Sequence, residues 1–330
     1  MNVTTEIRLR ASKLNGRVLF PEAERDARVV RAATKLADEQ IATPILLGEP
    51  DTISEIAEND QSSLSERAEI VPVNDPETEE ARYEFYREKL AHKNPNHEQL
   101  KKFCEDPLFT AGWLLEQGEA ESVIAGSVAS TPQVIVAAIR TVGVSESSTV
   151  VSSSFLMEMP DGNVFTFSDC GVVPYPDEIQ LASIALDAGL MNKLLTGVDP
   201  RIAFLSFSTK GSARHESVDK VRKAYEIASR KRPEWKMDGE LQFDTAFVPA
   251  VADRKAPSSE IAGNANVFIF PNLDAGNIAY KITERLAGAT ATGPILQGLR
   301  KPFLDLSRGC SPEDIVNTAS VGLLMSEGSS

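Results

Sequence analysis

The sequence has few residues of the kinds that build metal centres and disulfide frameworks. Among 330 residues there are three cysteines, Cys104, Cys170 and Cys310, and three histidines. The cysteines are odd in number and far apart, and no CxxC pair occurs, so neither a disulfide framework nor a zinc site is indicated. We therefore expect no bound metal, and a reducing cytoplasm is the simplest compartment.

Long apolar runs are also lacking. No stretch of 18 apolar residues occurs, and the first residues, MNVTTEIRLRASKLNG, lack the apolar core of a signal peptide. The sequence therefore predicts a soluble protein that is not exported and does not enter a membrane.

Positive charge is in the minority. The chain has 34 Lys and Arg against 48 Asp and Glu, a formal net charge of −14. Such a surface is repelled by nucleic-acid phosphates and by anionic membranes, which argues against both as partners. An anionic ligand must therefore be held by a local group of cations.

What the chain does contain is a regular alternation of short apolar runs and helical patterns. Residues 17–20 precede a helical pattern over 24–40, and residues 121–127 precede another over 131–143. Strands separated by helices of this length pair in parallel through right-handed crossovers. The alternation predicts an α/β fold whose sheet is covered by helices on both faces.

A change of pattern near residue 147 indicates a second domain. Two apolar runs there are joined by Asp161-Gly162, a sequence typical of a hairpin turn. Near the C-terminus, residues 301–307 and the helical pattern after them resemble one more βα unit. We therefore expect an antiparallel pair at the start of the second domain.

Four segments join a predicted strand to a predicted helix through small polar or charged residues. They are residues 125–133, 206–216, 270–280 and 306–314. Open α/β sheets bind ligands at such junctions. The phosphate-binding pattern GxxxxGK[ST] and the dinucleotide pattern GxGxxG are both absent. Nucleotide hydrolysis and conventional NAD chemistry are therefore disfavoured.

Two of these junctions carry basic residues. In SFSTKGS, Lys210 lies just before a helix, where backbone N–H groups and the helix dipole attract an anion. A capped loop with a solvated lysine explains the same letters. In the 270–280 junction, Gly276 allows a close backbone approach, and Lys281 and Arg285 follow on one helix face, which a plain surface helix also explains.

The junction LSRGCSPED has two interpretations. Ser311, Pro312 and Asp314 have the spacing of a capped helix start. That role leaves Ser307 and Arg308 unexplained, and the planar donor fork of an arginine suits a phosphate. Asp314 could also accept a proton, so a helix start and an active site both remain open at this stage.

Stretches along nearly the whole chain resemble the phosphate acetyltransferase (phosphotransacetylase) family, whose nearest relatives are the phosphate butyryltransferases. They include RVLFPEAERDARVVRAATKL, FSDCGVVPYPDEIQLA, LSFSTKGSA, IFPNLDAGNIAYK and DLSRGCS. The resemblance implies reversible transfer of an acetyl group between acetyl phosphate and coenzyme A. In this family the coenzyme A thiol attacks directly in a ternary complex, and coenzyme A is a substrate, with no permanently bound cofactor.

The resemblance also implies an architecture. Family members are typically homodimers of two three-layer α/β/α domains with mainly parallel sheets, similar to isocitrate/isopropylmalate dehydrogenases, with the active site in the interdomain cleft. The expected domains are residues 1–146 plus 301–330, which form one discontinuous unit, and an inserted domain of residues 147–300.

The family's functional residues match positions of this chain. By resemblance, Asp314 is the general base toward the coenzyme A thiol, Arg308 binds acetyl phosphate and stabilises transition-state charge, and Ser307 donates a hydrogen bond to the tetrahedral intermediate. Further substrate-binding residues implied in this way are Arg285, Ser206, Ser208, Thr209, Lys210, Gly211, Asn277 and Tyr280. Cys310 lacks a neighbouring histidine in sequence, and we interpret it as a packed thiol.

The coenzyme A contacts are less well defined. Basic residues line the helical pattern 77–93, where a solvated helix face explains them equally: Arg82, Arg87, Lys89 and Lys93. The expected coenzyme A residues are Arg87, Lys89, Ser127, Ser130 and Thr131. Many family members carry an arginine where this chain has Val136, so the sequence does not assign the residue that grips the 3′-phosphate.

Three alternatives accompany this interpretation. A phosphate propionyl- or butyryltransferase would differ in pocket volume, which no motif shows. A non-catalytic acyl-CoA-sensing module is opposed by the presence of Ser307, Arg308 and Asp314. A decarboxylating dehydrogenase would need a cluster of metal-binding aspartates and a nicotinamide loop, and the sequence shows neither.

Overall fold

A computed structural model describes residues 2–328 and divides into two compact units. The first unit joins the residues up to Gly143 to those from Leu299 onward, and the second spans Val144–Gly298.

The strands and helices of the described residues follow each other in the order expected of an α/β protein. The strands β1 to β11 are Arg17–Phe20, Thr43–Leu47, Glu69–Val71, Ser122–Ala125, Ser152–Glu158, Val164–Ser168, Arg201–Leu205, Lys236–Leu241, Val267–Ile269, Thr290–Gln297 and Phe303–Asp305. The helices α1 to α13 are Val3–Ala11, Ala27–Asp38, Pro50–Asn59, Pro76–Lys89, His97–Glu105, Pro107–Gln117, Thr131–Thr141, Glu178–Thr196, Glu216–Lys231, Phe243–Phe247, Pro249–Lys255, Leu273–Ala287 and Pro312–Glu327. Between residues 2 and 328, no helix is both long enough and apolar enough to cross a membrane.

The first unit contains a five-stranded sheet in the order β11-β4-β1-β2-β3, in which every neighbouring pair is parallel. Parallel strands end at the same edge of a sheet, so the loops that follow β1, β4 and β11 lie side by side. The predicted parallel pairing is confirmed. The last βα unit, β11 and α13, joins this sheet although it is distant in sequence.

Polar side chains of helix α13 attach it to the helices at the start of the chain. Glu313 pairs with Arg8 of α1 at 2.7 Å and with Lys35 of α2 at 2.5 Å. Arg8 also donates to Asn317 of α13 at 2.7 Å. These contacts hold the start of α13 in place next to α1 and α2.

The second unit contains a six-stranded mixed sheet in the order β10-β5-β6-β9-β7-β8. The two pairs at the β10 end are antiparallel and the remaining pairs are parallel. The predicted hairpin is confirmed: β5 and β6 are joined at Asp161-Gly162, where Gly162 has a φ of 85° and Asp161 accepts from the backbone of Asn163.

Both faces of this second sheet are covered by apolar side chains. Phe268 belongs to one buried cluster, whereas its strand neighbours Val267 and Ile269 belong to another. On β7, Ala203 and Phe204 divide in the same way. Because successive side chains of a strand point to opposite faces, this alternation shows a sheet buried on both sides, as the sequence predicts.

Helix α12 approaches the loop after β6 so closely that only glycine fits at the contact. A Cβ at Gly276 would lie 2.2 Å from the backbone oxygen of Asp169 and 3.1 Å from the sulfur of Cys170. A backbone oxygen cannot rotate away as a flexible side chain can, so a larger residue must displace the helix or the loop.

We expect Gly276→Ala to destabilise the protein by about 1–3 kcal/mol, the usual cost of overpacking. Alanine favours a helix by about 1 kcal/mol over glycine, so a net loss would isolate the steric conflict. The matched control is Gly328→Ala, where a Cβ would meet only the oxygen of Met325 at 3.7 Å. Denaturant unfolding measures both variants, and an unchanged or raised midpoint for Gly276→Ala would contradict the packing argument.

Candidate active site

The loop after β11 presents the residues that the sequence singles out. Strand β11 is buried, whereas Ser307, Arg308 and Gly309 are exposed and Cys310 is again buried. The backbone N–H of Cys310 donates to the oxygen of Ser307 at 2.9 Å, which closes a turn. The turn therefore displays a hydroxyl and a guanidinium at the edge of the sheet where ligands bind in open α/β folds.

The helix start that follows this loop is confirmed. Helix α13 begins at Pro312, and Ser311 and Asp314 form a reciprocal capping box. Asp314 accepts from the N–H of Ser311 and from its hydroxyl, both at 2.8 Å and both through Oδ2. Asp314 is nevertheless exposed, so the cap orients its carboxylate without burying it.

The neighbouring carboxylate, Glu313, is engaged elsewhere. Hydrogen bonds from Lys35 and Arg8 hold the pKa of Glu313 below its ordinary value. These ion pairs belong to the packing of α13 against α1 and α2. The two adjacent acids therefore differ: Glu313 anchors the helix through ion pairs, whereas Asp314 accepts the capping bonds of Ser311.

Cys310 is unsuited to nucleophilic chemistry. Its side chain is 6% exposed, and burial raises the pKa of its thiol to about 11. A thiol with such a pKa is protonated near neutral pH, and the thiolate is the nucleophilic form. This agrees with the interpretation of Cys310 as a packed thiol.

The loop after β4 is organised by a carboxylate that the sequence analysis did not identify. Glu22, which follows β1, is 4% exposed. It accepts from the backbone N–H groups of Ser127, Val128 and Ala129 at 2.8, 3.2 and 2.6 Å, and from the hydroxyl of Ser127 at 2.9 Å. A small polar loop before a helix usually has backbone N–H groups that are free to bind an anion. Here the N–H groups of Ser127, Val128 and Ala129 are bonded to Glu22 instead.

Each predicted coenzyme A residue of this loop makes a hydrogen bond to another residue of the protein. Ser127 is buried against Glu22, and Ser130 caps α7 and donates to Gln133 at 2.7 Å. Thr131 donates to Asp305 Oδ2 at 2.6 Å. Their role toward coenzyme A stays a prediction.

The basic residues of α4 divide into buried and exposed. Arg82 is 1% exposed and donates to the carbonyl oxygen of Val73 and to Thr110, so it supports the fold and is not available to a phosphate. Arg87 is exposed and pairs with Glu84. Lys89 pairs with Glu116 at 2.9 Å. Contact between coenzyme A and Arg87 or Lys89 stays a prediction.

In the second unit, the SFSTKGS loop is also held by buried carboxylates. Glu240 of β8 accepts from the hydroxyl of Ser208 at 2.8 Å and from the N–H of Gly211 at 2.7 Å. The ammonium of Lys210 pairs with Asp238, so the lysine is not simply solvated. This charge pair was not foreseen from the sequence.

The other members of this loop bond to one another and to the neighbouring loop. The hydroxyl of Ser206 accepts from the N–H of Ser208 at 3.3 Å. Thr209 accepts from the N–H of Gln242 at 2.9 Å. Together with Glu240, these bonds give the loop a defined shape at the carboxyl end of β7.

The predicted residues of α12 have different surroundings. Asn277 donates to the oxygen of Cys170 at 3.0 Å, and the ring of Tyr280 stacks on Phe155 with centroids 4.1 Å apart. Arg285 is exposed in the last turn and pairs with Glu284 at 3.5 Å. Asn277 and Tyr280 therefore also pack within the second unit, while Arg285 projects from it.

A second buried carboxylate stands behind the candidate site. Asp305, the last residue of β11, is 1% exposed. Burial raises its pKa to about 7, the nearby charge of Glu22 adds to the rise, and the hydrogen bond from Thr131 opposes it. Asp305 is therefore largely protonated at mildly acidic pH and ionises near neutrality.

The raised pKa of Asp305 predicts a stability effect of defined sign. A carboxyl with a higher pKa in the folded than in the unfolded protein binds more protons when folded, so it costs stability as pH rises from about 4 to about 7. We expect Asp305→Asn to remove this cost, so that its stability falls less with pH than that of the wild type. Denaturant unfolding between pH 4 and pH 8 measures both slopes.

The control for this prediction is Asp51→Asn, at an exposed position of α3 in the same unit. It should leave the slope of the wild type unchanged. Equal slopes in the wild type and Asp305→Asn would show that Asp305 ionises in the folded protein at its ordinary pKa.

Comparison with known proteins places the chain in a family. Residues 2–322 match the family described as phosphate acetyl/butaryl transferase. A phosphate acetyltransferase of Thermoanaerobacterium thermosaccharolyticum is 41% identical over 323 residues, which cover 96% of this chain and 97% of the relative. A solved phosphotransacetylase of Streptococcus pyogenes is 37% identical with a TM-score of 0.94, covering 99% of this chain and 98% of that one.

A more distant structure shows the fold alone. It is a candidate 4-hydroxythreonine-4-phosphate dehydrogenase of Salmonella typhimurium, 13% identical with a TM-score of 0.53, covering 95% of this chain and 98% of its own. The expected likeness to dehydrogenase folds is therefore confirmed. With a family match over nearly its whole length, the chain belongs to the phosphate acetyl/butaryl transferase family.

Proposed function

We propose that this protein catalyses the reversible transfer of an acetyl group between acetyl phosphate and coenzyme A, with coenzyme A as a substrate and no permanently bound cofactor. The observation that carries the proposal is the exposed Ser307-Arg308 turn at the end of β11, followed by a helix whose cap presents the exposed carboxylate of Asp314. The names of relatives that cover nearly the whole chain support the same reaction.

In the proposed reaction the thiol of coenzyme A attacks the carbonyl carbon of acetyl phosphate. Its proton goes to Asp314, a C–S bond forms, and the carbonyl oxygen becomes an oxyanion. The intermediate then collapses with cleavage of the C–O bond to the phosphate, which leaves. Arg308 binds the phosphoryl oxygens, and Ser307 donates to the oxyanion, where one donor is worth about 10²–10³ in rate.

The proton transfer sets a limit on the timing of this mechanism. A free thiol has a pKa of about 8.5 and a free aspartate about 3.9, so complete transfer before attack would be uphill by roughly 6 kcal/mol. We propose that the transfer accompanies formation of the C–S bond, as general-base catalysis allows. The cap bonds of Asp314 both end on Oδ2, which leaves Oδ1 as the oxygen we assign to the proton.

The remaining assignments belong to the same proposal. The phosphate and acyl groups contact residues of the second unit, namely Ser206, Ser208, Thr209, Lys210, Gly211, Asn277, Tyr280 and Arg285. Coenzyme A lies along Arg87, Lys89, Ser127, Ser130 and Thr131. The proposed domains are residues 1–146 with 301–330 and residues 147–300, and the division of the chain after Gly143 and after Gly298 supports them. The proposed place of work is the cytoplasm. Propionyl or butyryl phosphate is the alternative substrate, because one methylene changes discrimination by only about 1–3 kcal/mol.

We expect Asp314→Asn to lower kcat for thioester formation by about 10²–10⁴, the usual contribution of a general base. Asparagine keeps an oxygen that can accept the cap bonds of Ser311, so α13 should still form. Thioester absorbance in the ultraviolet, with acetyl phosphate and coenzyme A as substrates, measures the loss. Glu313→Gln is the control, since its carboxylate serves packing, and it should retain kcat within about threefold.

Turnover that survives in Asp314→Asn would return Asp314 to the role of a helix cap. If the wild-type protein binds acetyl-CoA but shows no turnover, the proposed enzymatic function is wrong and an acyl-CoA sensor is favoured. Faster turnover with butyryl phosphate than with acetyl phosphate would change the assigned substrate within the family.

We also infer that the protein forms a homodimer through helix α12. Ile278, Ile282 and Leu286 are spaced by four residues along one face of α12 and are 58%, 51% and 83% exposed. Large aliphatic side chains exposed together in this way are typical of an association surface. The same three side chains of a second copy can cover them, because a two-fold interface pairs the same surface on both subunits.

Leu286→Glu is expected to shift the protein from dimer to monomer, because it places a charge within an apolar contact. Light scattering after size-exclusion chromatography measures the mass. The control Leu9→Glu changes a leucine of α1 that is also exposed and should leave the dimer intact. A variant Leu286→Glu that remains dimeric would place the interface elsewhere.

A further inference from the structure

Arg28, in the first turn of α2, uses its whole guanidinium inside the protein. Nε and one Nη bond to the carboxylate of Asp26 at 2.9 and 2.7 Å. That Nη also donates to the carbonyl oxygen of Ser127 at 3.1 Å. The other Nη donates to the carbonyl oxygens of Arg308 and Cys310 at 2.9 and 2.8 Å. These bonds account for all five N–H donors of an arginine.

The acceptors come from three loops that are far apart in sequence. Asp26 follows β1, Ser127 follows β4, and Arg308 and Cys310 follow β11. The three strands are adjacent in the sheet, in the order β11-β4-β1. One side chain therefore ties together the loops at the edge where the candidate site lies.

Direct binding of an anionic substrate is not the role that these contacts favour. The positive charge of Arg28 is offset by Asp26, which is buried and lies 2.7 Å away. A phosphate would have to displace a carboxylate or a carbonyl oxygen from the guanidinium. The bonds that Arg28 makes to the 307–310 loop go to backbone carbonyls, so they fix where that loop runs.

We propose that Arg28 is a positioning residue for the acyl transfer: it fixes the backbone of the 307–310 loop and thereby the places of Ser307 and Arg308. This inference rests on the proposed function. A displacement of about 1 Å in a catalytic group can cost about 10² in rate, so loss of the tie should appear mainly in kcat. Lysine cannot replace it, because an ammonium lacks the planar fork that reaches several acceptors at once.

The test compares Arg28→Ala and Arg28→Lys with the control Arg31→Ala. Arg31 lies on the same helix and makes an ion pair with Asp60 near the surface. We expect kcat to fall about 10²-fold in Arg28→Ala and about tenfold in Arg28→Lys, with KM for each substrate within about threefold. Arg31→Ala should retain the wild-type kcat. A rise in KM of tenfold or more with unchanged kcat would overturn the proposal and show direct substrate binding.

Chemical rescue separates positioning from a general loss of stability. Guanidinium ion at millimolar concentration should restore kcat of Arg28→Ala at least about fivefold by occupying the vacated position, whereas methylammonium should not. Guanidinium does not stabilise folded proteins, so a variant that is merely unstable would gain no activity on its addition. Failure of rescue together with full activity of Arg28→Lys would overturn the proposal.

A measurement without substrate distinguishes this inference from the proposed reaction. Amide hydrogen exchange at Gly309 and Cys310 should be faster in Arg28→Lys than in the wild type, and unchanged in Arg31→Ala. Unchanged exchange in Arg28→Lys would overturn the tie even if acetyl transfer is confirmed. If exchange is faster in Arg28→Lys but the wild type does not transfer acetyl groups, Arg28 still fixes the loop, and only the proposed reaction is rejected.

Discussion

Buried carboxylates that accept the backbone N–H groups of loops give both units their shape at the carboxyl ends of the strands. Glu22 does this for the loop after β4, and Glu240 for the loop after β7. Asp169 accepts from the N–H groups of Gly171 and Val173 after β6. A buried carboxylate is costly unless its oxygens are bonded, and a loop N–H is costly unless it has an acceptor. Each bond therefore meets two requirements at once, and the loops that display the candidate residues depend on it.

This arrangement explains why the junctions at residues 125–133 and 206–216 cannot be interpreted from their local sequence alone. A small, polar loop before a helix is the usual pattern of an anion site. In the folded chain, N–H groups of such loops are bonded to carboxylates that lie distant in sequence, 105 positions away for Glu22 and Ser127. Only folding brings these partners together. The sequence could therefore predict the loops but not the carboxylates that accept their N–H groups.

The general architecture was nevertheless accessible from the sequence, because it depends on local periodicity. Parallel βα units and the hairpin at Asp161-Gly162 both follow from patterns within single stretches. The edge strands β8 and β10 were missed. Strand β8 contains Asp238 and Gly239, and β10 contains Gly293-Pro294 at a break in its pairing with β5. Such residues weaken a strand pattern and are tolerated at edges, where tertiary pairing decides the outcome.

The candidate site shows the same division between local and long-range causes. The start of α13, with Ser311 and Asp314, is determined by its own spacing and could be predicted. Arg28 and Asp305 were missed, because their significance comes from neighbours on other strands. The structure shows that Asp314 caps a helix, and the cap does not exclude the proposed reaction, because both bonds from Ser311 end on one oxygen. Ser311 bonds to one oxygen of the Asp314 carboxylate and so orients the group, while the ion pairs of Glu313 serve the packing of α13 against α1 and α2. A cap built in this way leaves an exposed carboxylate held at a fixed angle, which is what a general base requires.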